Sequence, residues 1–175
     1  MKPALVWLVA ILPILNLAGE EPISVQLLPD LEQIVEDQTV SPVAGITAAG
    51  QPDQAAMEVF AANGYTTVID MRGPLENRGF DEASFVAELG MDYIAFPITS
   101  GEQISFEYAA KLDEVISQAD GPVLVHCASS NRVGALLALR ASLAGASDKD
   151  ALAHGVEGGM TSLATPVQEI LSNKP

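Results

Sequence analysis

One segment of the chain gathers residues able to attack an anion: Val123-Leu124-Val125-His126-Cys127-Ala128-Ser129-Ser130-Asn131-Arg132-Val133-Gly134-Ala135. An apolar run typical of a buried parallel strand leads into His126 and Cys127, a loop of small and polar residues follows, and Arg132 opens an Ala/Leu-rich helix. Successive backbone N–H groups in a tight loop form a nest for anions, and the following helix adds the positive end of its dipole. A thiol aimed into such a nest is more readily deprotonated, and thiolate is the nucleophilic form. Arg132 offers a planar fork of donors suited to two oxygens of a phosphate. Ala128, Ser129, Ser130 and Asn131 are small enough for an anion to reach the backbone, and the serine hydroxyls can bond either sulfur or ligand. Such a site stabilises the charge spread over a phosphoryl transition state. Cys127 and Arg132 are therefore the candidate catalytic residues, and His126 with Ala128, Ser129, Ser130 and Asn131 the candidate substrate-binding ones. His126 reads as an orienter of the loop ahead of a base. An arginine at a helix N-terminus opposes the dipole, so an anion is expected in front of Arg132.

The elements that must hold this segment alternate in type. Val43 to Ala48 is an apolar run, and a Gly50-Gln51-Pro52-Asp53 turn leads to a helical stretch from Gln54 to Ala62 that Asn63-Gly64 stops. Thr66 to Asp70 and Tyr93 to Phe96 read as strands, with a helix over Asp81 to Leu89 between them. Ser105 to Gln118 has helical apolar spacing, Val123 to Val125 is a fully apolar strand, and helices are expected over Val133 to Ala144 and Asp148 to Val156, the last capped by Ser147. This alternation predicts an α/β fold with a mostly parallel sheet of four to five strands flanked by helices. In such folds ligands sit beyond the carboxyl ends of the strands, where the Cys127 loop lies.

Composition narrows the partners. The chain has 175 residues, enough for one ordinary domain with a real core, and 49% of them are hydrophobic. Lys and Arg number 8 against 23 Asp and Glu, a net charge of −15 that argues against a nucleic-acid partner or an anionic membrane. The single Cys excludes an intramolecular disulfide framework and a Cys-rich zinc site. Lys2 followed by an apolar run from Ala4 to Leu17 reads as a signal peptide over residues 1–19, with an uncleaved N-terminal anchor as the alternative. The expected location is periplasmic or secreted, with no membrane insertion once the signal is removed. Residues 20–42 read as an acidic lead-in segment without a core of its own, with a short amphipathic piece at Asp30 to Asp37, and residues 43–175 as the domain. Asp70 and Arg72 read as a turn-forming pair ahead of a pocket-facing one. His154 has no second ligand at metal spacing and reads as structural, and Gly155 with Gly158-Gly159 as a helix end and turn.

The segment from His126 to Gly134 resembles the phosphate-binding loop H-C-x5-R-[ST]-G of the cysteine-dependent protein tyrosine and dual-specificity phosphatases. The wider run from Gly64-Tyr65-Thr66-Thr67-Val68-Ile69-Asp70-Met71-Arg72 through Tyr93-Ile94-Ala95-Phe96-Pro97-Ile98 resembles bacterial phosphatase-like domains related to the beta-lactamase hydrolase family. The resemblance covers residues 43–145. It implies a tyrosine-phosphatase-like fold and hydrolysis of phosphomonoesters through a phosphocysteine, without a metal or other cofactor. His126, Cys127 and Arg132 occupy the matching positions, and the implied partner is a phosphorylated protein or a small phosphate ester.

Three features depart from the family pattern. Cys127 and Arg132 enclose four residues where the family has five. Val133 stands where a hydroxyl residue normally helps the thiolate leave, a role Ser129 or Ser130 would have to take. The general-acid Asp has no counterpart after Phe96-Pro97-Ile98, where Glu102 is the nearest carboxylate. The shorter loop also resembles that of rhodanese-like sulfurtransferases, in which Cys127 would carry a persulfide. A catalytically weak domain that only binds oxyanions or phosphorylated partners is the other alternative. His126 before the Cys and Arg132 at the end of the loop side with the phosphatases.

Overall fold

The apolar runs become the strands of one sheet in the computed structural model, which describes residues 24–28, 30–40 and 45–174. The strands are β1 (Ser24–Leu28), β2 (Gly45–Ala49), β3 (Thr67–Asp70), β4 (Asp92–Ala95) and β5 (Val123–His126). They lie in the order β1-β2-β5-β3-β4, and every pairing is parallel. The expected α/β architecture is the one observed. β5 is central, with Val125 opposite Ala48 on one side and Ile69 on the other. Its wholly buried sequence follows from that position, since a central parallel strand is covered on both faces.

Among the described residues seven helices cover the sheet: α1 (Leu31–Asp37), α2 (Gln54–Ala62), α3 (Glu82–Glu88), α4 (Phe106–Ser117), α5 (Asn131–Leu143), α6 (Asp148–Glu157) and α7 (Ala164–Ser172). Five of them start on a side chain that accepts a free N–H of the first turn: Asp30, Asp53, Asp81, Ser105 and Ser147. The period-two alternation of β5 divides the core. Val123, Val125 and Cys127 pack with Leu112 of α4, Leu136 of α5, Ala151 of α6 and Leu171 of α7. Leu124 packs on the opposite face with Ile34 of α1, Phe60 of α2 and Val86 of α3.

Three parts of the sequence reading differ from the structure. The stretch read as a lead-in carries β1, which pairs in parallel with β2, and α1, whose Ile34 is buried against α2. α1 falls on the amphipathic piece at Asp30 to Asp37, while the order that β1 and α1 gain from the sheet they join is invisible in the local sequence. Helix α7 was not anticipated, and α5 begins at Asn131 rather than Val133. The expected signal peptide, residues 1–19, lies outside the described residues.

The glycines near His154 do more than end a helix. A Cβ on Gly134 of α5 would come within 2.9 Å of Met160 Cβ, and closer still to the Gly155 carbonyl oxygen and the Met160 amide. Gly134, Gly155 and Gly158 therefore set the close crossing of α5 over α6. Gly134→Ala is expected to destabilise the fold by about 3 kcal/mol, because backbone atoms cannot step aside as a flexible side chain does. Equilibrium urea unfolding checks this, and a loss under about 1 kcal/mol would contradict it.

Candidate active site

The carboxyl ends of β2, β3, β4 and β5 converge on the Cys127 loop. Cys127 donates its amide to the Ala49 carbonyl (3.4 Å), and Gln51 N–H reaches the Ala128 carbonyl (3.3 Å), so the loop leans on the β2–α2 turn. Met71 N–H bonds the His126 carbonyl (2.9 Å), and Ile98 N–H bonds the Met71 carbonyl (3.0 Å). These bonds carry the parallel ladder beyond the strand ends and bring residues 71–76 and 97–103 to the rim of the loop.

Cys127 lies at the head of the loop, 1% exposed, with its side chain on the α5 face. Ala128 and Ser129 are exposed and Ser130 is buried. Ser130 has φ +62°, a left-handed conformation uncommon for a residue with a side chain. It turns the chain sharply into α5, so that four residues carry the chain from Cys127 to Arg132. Its hydroxyl donates to the Gly158 carbonyl at 2.8 Å and locks that turn. The Asn131 side chain is also engaged away from the loop, accepting from Thr161 N–H (2.8 Å) and donating to Ser162 Oγ (2.8 Å). Gly134 N–H is the first amide of α5 to find a helical carbonyl, that of Ser130. The amides before it belong to the open helix end, where an anion is favoured. Ser130 and Asn131 can thus serve a ligand only through their backbone, and Ser129 alone of the two serines keeps a free hydroxyl among the described residues.

Arg132 turns back over the loop. Its Nη1 and Nη2 donate to Glu76 Oε1 and Oε2 at 2.6 and 2.8 Å, and Nη1 also reaches the Ile98 carbonyl at 3.0 Å. Glu76 and, to a smaller degree, the Cys127 side chain hold the guanidinium charge against the opposing effect of burial. The anion expected in front of Arg132 is present as a carboxylate of the protein itself. Arg132, outweighing partial burial, and more weakly the Gly73 amide and Arg72 push Glu76 down to about 2. Glu76 therefore stays ionised at any working pH and cannot serve as the missing general acid.

His126 is not where a substrate-binding residue would be. Strand alternation turns its imidazole to the face opposite Cys127, so only its backbone belongs to the loop. There its Nε2 lies 2.6 Å from Glu82 Oε1 and 3.8 Å from Asp70 Oδ1, all three side chains fully buried. The 2.6 Å approach is an ion-pair distance without hydrogen-bond alignment, and both imidazole nitrogens lack a hydrogen-bond partner among the described residues. Asp70 accepts from Arg78 Nε (2.6 Å), Tyr93 Oη (2.7 Å) and the Arg72 amide (2.7 Å), which makes it a turn-former and not a pocket residue. Burial, aided by the bond to Asp70, raises the Tyr93 phenol, which keeps it a neutral donor. Asp70, Glu82 and His126 bring ligand-type atoms within 4.8 Å of one another. Arg78 lies 2.5 Å from Asp70 and 3.8 Å from Glu82, so a guanidinium already supplies the cation there.

Glu102 stands exposed on a 3-10 turn, Gly101–Gln103, that belongs to the rim. The turn is braced by Gln103, whose Oε1 accepts from the Thr99 and Ser100 amides at 2.7 and 3.0 Å. The sequence reading missed Glu76, Arg78 and Glu82. Glu76 and Arg132 are 56 positions apart, and nothing local to either residue marks them as a pair.

Residues 30–145 match the family described as beta-lactamase hydrolase-like protein, phosphatase-like domain. A beta-lactamase hydrolase-like protein of Agrobacterium fabrum is 32% identical over 104 residues, covering 57% of this chain and 24% of that protein, so the match spans under a third of its relative's length. Among solved structures, a candidate phosphatase of Neisseria meningitidis is similar with a TM-score of 0.61 at 19% identity, covering 71% of this chain and 92% of the other. Kinase associated phosphatase, with serine in place of its catalytic site cysteine, is similar with a TM-score of 0.54 at 13% identity, covering 89% and 99%. At these identities the two structures establish a shared fold.

Proposed function

The chain belongs to the phosphatase-like domain family of beta-lactamase hydrolase-like proteins, and from that premise we propose that it is a cysteine-dependent phosphatase of phosphomonoesters. The observation that carries the reading is the Cys127 side chain beside the Arg132 guanidinium, at the open amide end of α5. In this reading the Cys127 thiolate attacks phosphorus in line with the ester oxygen. The S–P bond forms as the P–O bond breaks, and the leaving oxygen takes a proton from solvent. Water then attacks the phosphocysteine, releasing inorganic phosphate and restoring the thiolate. Loop amides and Arg132 hold the charge that develops on the equatorial oxygens. With no general acid assigned, aryl phosphates, whose leaving group needs little protonation, should turn over faster than alkyl ones. The substrate is a phosphorylated protein or a small phosphate ester, met outside the cytoplasm after removal of residues 1–19.

The four-residue loop favours a second reading, in which the Cys127 thiolate takes the sulfane sulfur of thiosulfate as a persulfide, releasing sulfite, and cyanide then removes that sulfur as thiocyanate and restores the thiolate. One paired assay separates the two. Aryl phosphate hydrolysis and thiocyanate formation are measured on the wild type and on Cys127→Ser. The phosphatase reading expects phosphate release that falls by at least about a thousandfold in the variant, with no thiocyanate from either protein. Cys127-dependent thiocyanate without phosphate release would replace it with sulfur transfer.

A further inference from the structure

We propose that the site takes a phosphorylated segment of a protein with Lys or Arg on both sides of the phosphorylated residue, a substrate class that rests on the phosphatase reading. Asp53 and Glu102 are the residues that read its charge. Strand order places them on opposite flanks of the Cys127 loop. Asp53 follows β2 on the turn that touches the loop, where Gly50 forms an antiparallel bridge with Ser129 and Gln51 N–H reaches the Ala128 carbonyl. Its Oδ1 accepts Ala56 N–H at 2.8 Å as the cap of α2, which fixes it there. Glu102 follows β4 on the turn that Gln103 braces. Gln103 Nε2 donates to the Pro97 carbonyl at 3.0 Å, one residue before the Ile98 carbonyl that Arg132 touches. Both carboxylates are exposed, and no Lys or Arg of the described residues lies within ion-pair reach of either.

The cations around the loop are already taken. Arg72 and Arg132 are paired with Glu76, and Arg78 with Asp70. Among the described residues Lys149 alone of the Lys and Arg side chains has no carboxylate partner, and it lies in the first turn of α6, past the far end of α5 and about 20 Å of helix from the loop. Arg132 Nε, which has no acceptor among the described residues, and the loop amides are therefore what the site offers to negative charge, enough for one phosphoryl group. A second anionic group beside the phosphate would meet Asp53 or Glu102 in the field of a chain of net charge −15, whereas a cation there is attracted by both. From β5 to β2 is one strand spacing, and from β5 to β4 two in the other direction, a span of about 14 Å. An extended chain crosses that span in about five residues, with the phosphorylated residue over Cys127 and a basic residue toward each flank. A small cationic ester reaches one flank at most.

Two phosphotyrosine peptides of equal length are compared, one with Lys and Arg on both sides of the phosphotyrosine and one with Glu, together with tyramine phosphate and phenyl phosphate. All four are aryl phosphates, which holds the leaving group nearly constant. At about 20 mM ionic strength kcat/KM for the basic peptide is expected to exceed that for the acidic one by about thirtyfold, shrinking to about threefold at about 0.5 M salt. Tyramine phosphate is expected within about threefold of phenyl phosphate. Asp53→Asn combined with Glu102→Gln keeps a capping side chain on α2 and barely changes the net charge. That double variant is expected to bring the peptide ratio below about tenfold and to leave phenyl phosphate within about twofold of the wild type. Peptide rates within about threefold of each other in the wild type would overturn the proposal. So would a double variant that keeps the full ratio, which would assign the selection to net charge alone, or one that slows phenyl phosphate as much as the peptides, which would put a carboxylate in the chemistry. Tyramine phosphate favoured over phenyl phosphate as strongly as the basic peptide is over the acidic one would make the substrate a small cationic ester instead. Binding of both peptides to Cys127→Ser, read by fluorescence anisotropy, needs no turnover. If the wild type hydrolyses no aryl phosphate, the phosphatase reading fails and this binding alone judges the rim: about tenfold tighter binding of the basic peptide sustains the charge selection, and equal affinities end it.

Discussion

Arg132→Lys is expected to lower kcat/KM for an aryl phosphate by about a thousandfold while leaving the protein folded. Lysine keeps the charge and removes the fork, so the substitution isolates geometry from electrostatics. Arg132 uses both Nη atoms on Glu76 and still has Nε to offer. A lysine ammonium is a single point, and the nearest fixed anion, Glu76, would take it. The oxyanion would then meet only loop amides, and the loss would show in kcat as much as in KM because the interaction grows in the transition state. Steady-state kinetics with a circular dichroism check of folding test this. A loss under about fivefold would mean that charge alone suffices and that the fork has no role.

The second large effect is on stability. Asp70→Ala is expected to destabilise the protein by about 3–5 kcal/mol, measured by equilibrium urea unfolding. Asp70 is fully buried and is the near partner of Arg78, whose side chain is 15% exposed. Its removal leaves the guanidinium with carbonyls at 3.0–3.2 Å and with Glu82 at 3.8 Å. Tyr93 Oη and the Arg72 amide lose their acceptor as well. Breaking one side of a buried pair costs the desolvation of the charge left behind, which exceeds what the pair contributed. Asp70→Asn keeps an acceptor and should cost less. A loss under about 1 kcal/mol for Asp70→Ala would show that the carbonyls alone satisfy Arg78.

The central part of this architecture was legible because its signals are local. Val123 to Val125, the Asn63-Gly64 stop and the Ser147 cap each announce an element within a few residues. The Cys127–Arg132 loop was legible for the same reason, since strand, loop and helix are consecutive. The amphipathic spacing over Asp30 to Asp37 marks α1, but β1 and the packing of α1 on the domain were not legible, because an edge strand and a short helix depend on the sheet beside them. The place of His126 was misread by one strand register: consecutive residues of β5 point to opposite faces, so the side chain next to Cys127 in sequence is across the sheet from it in space. Glu76 was missed because its meaning lies in a contact with Arg132 made through the tertiary fold. The expectation of an anion before Arg132 was physically sound, and the fold supplies it from residue 76.

Trapping of the covalent intermediate shows without a proxy whether Cys127 takes up the phosphoryl group. The protein is mixed with an aryl phosphate, quenched in acid within the first turnovers, digested and examined by mass spectrometry. A phosphate adduct is expected on the peptide that carries Cys127, absent in Cys127→Ser and lost on a chase with water. Steady phosphate release with no adduct on that peptide, continuing in Cys127→Ser, would contradict it.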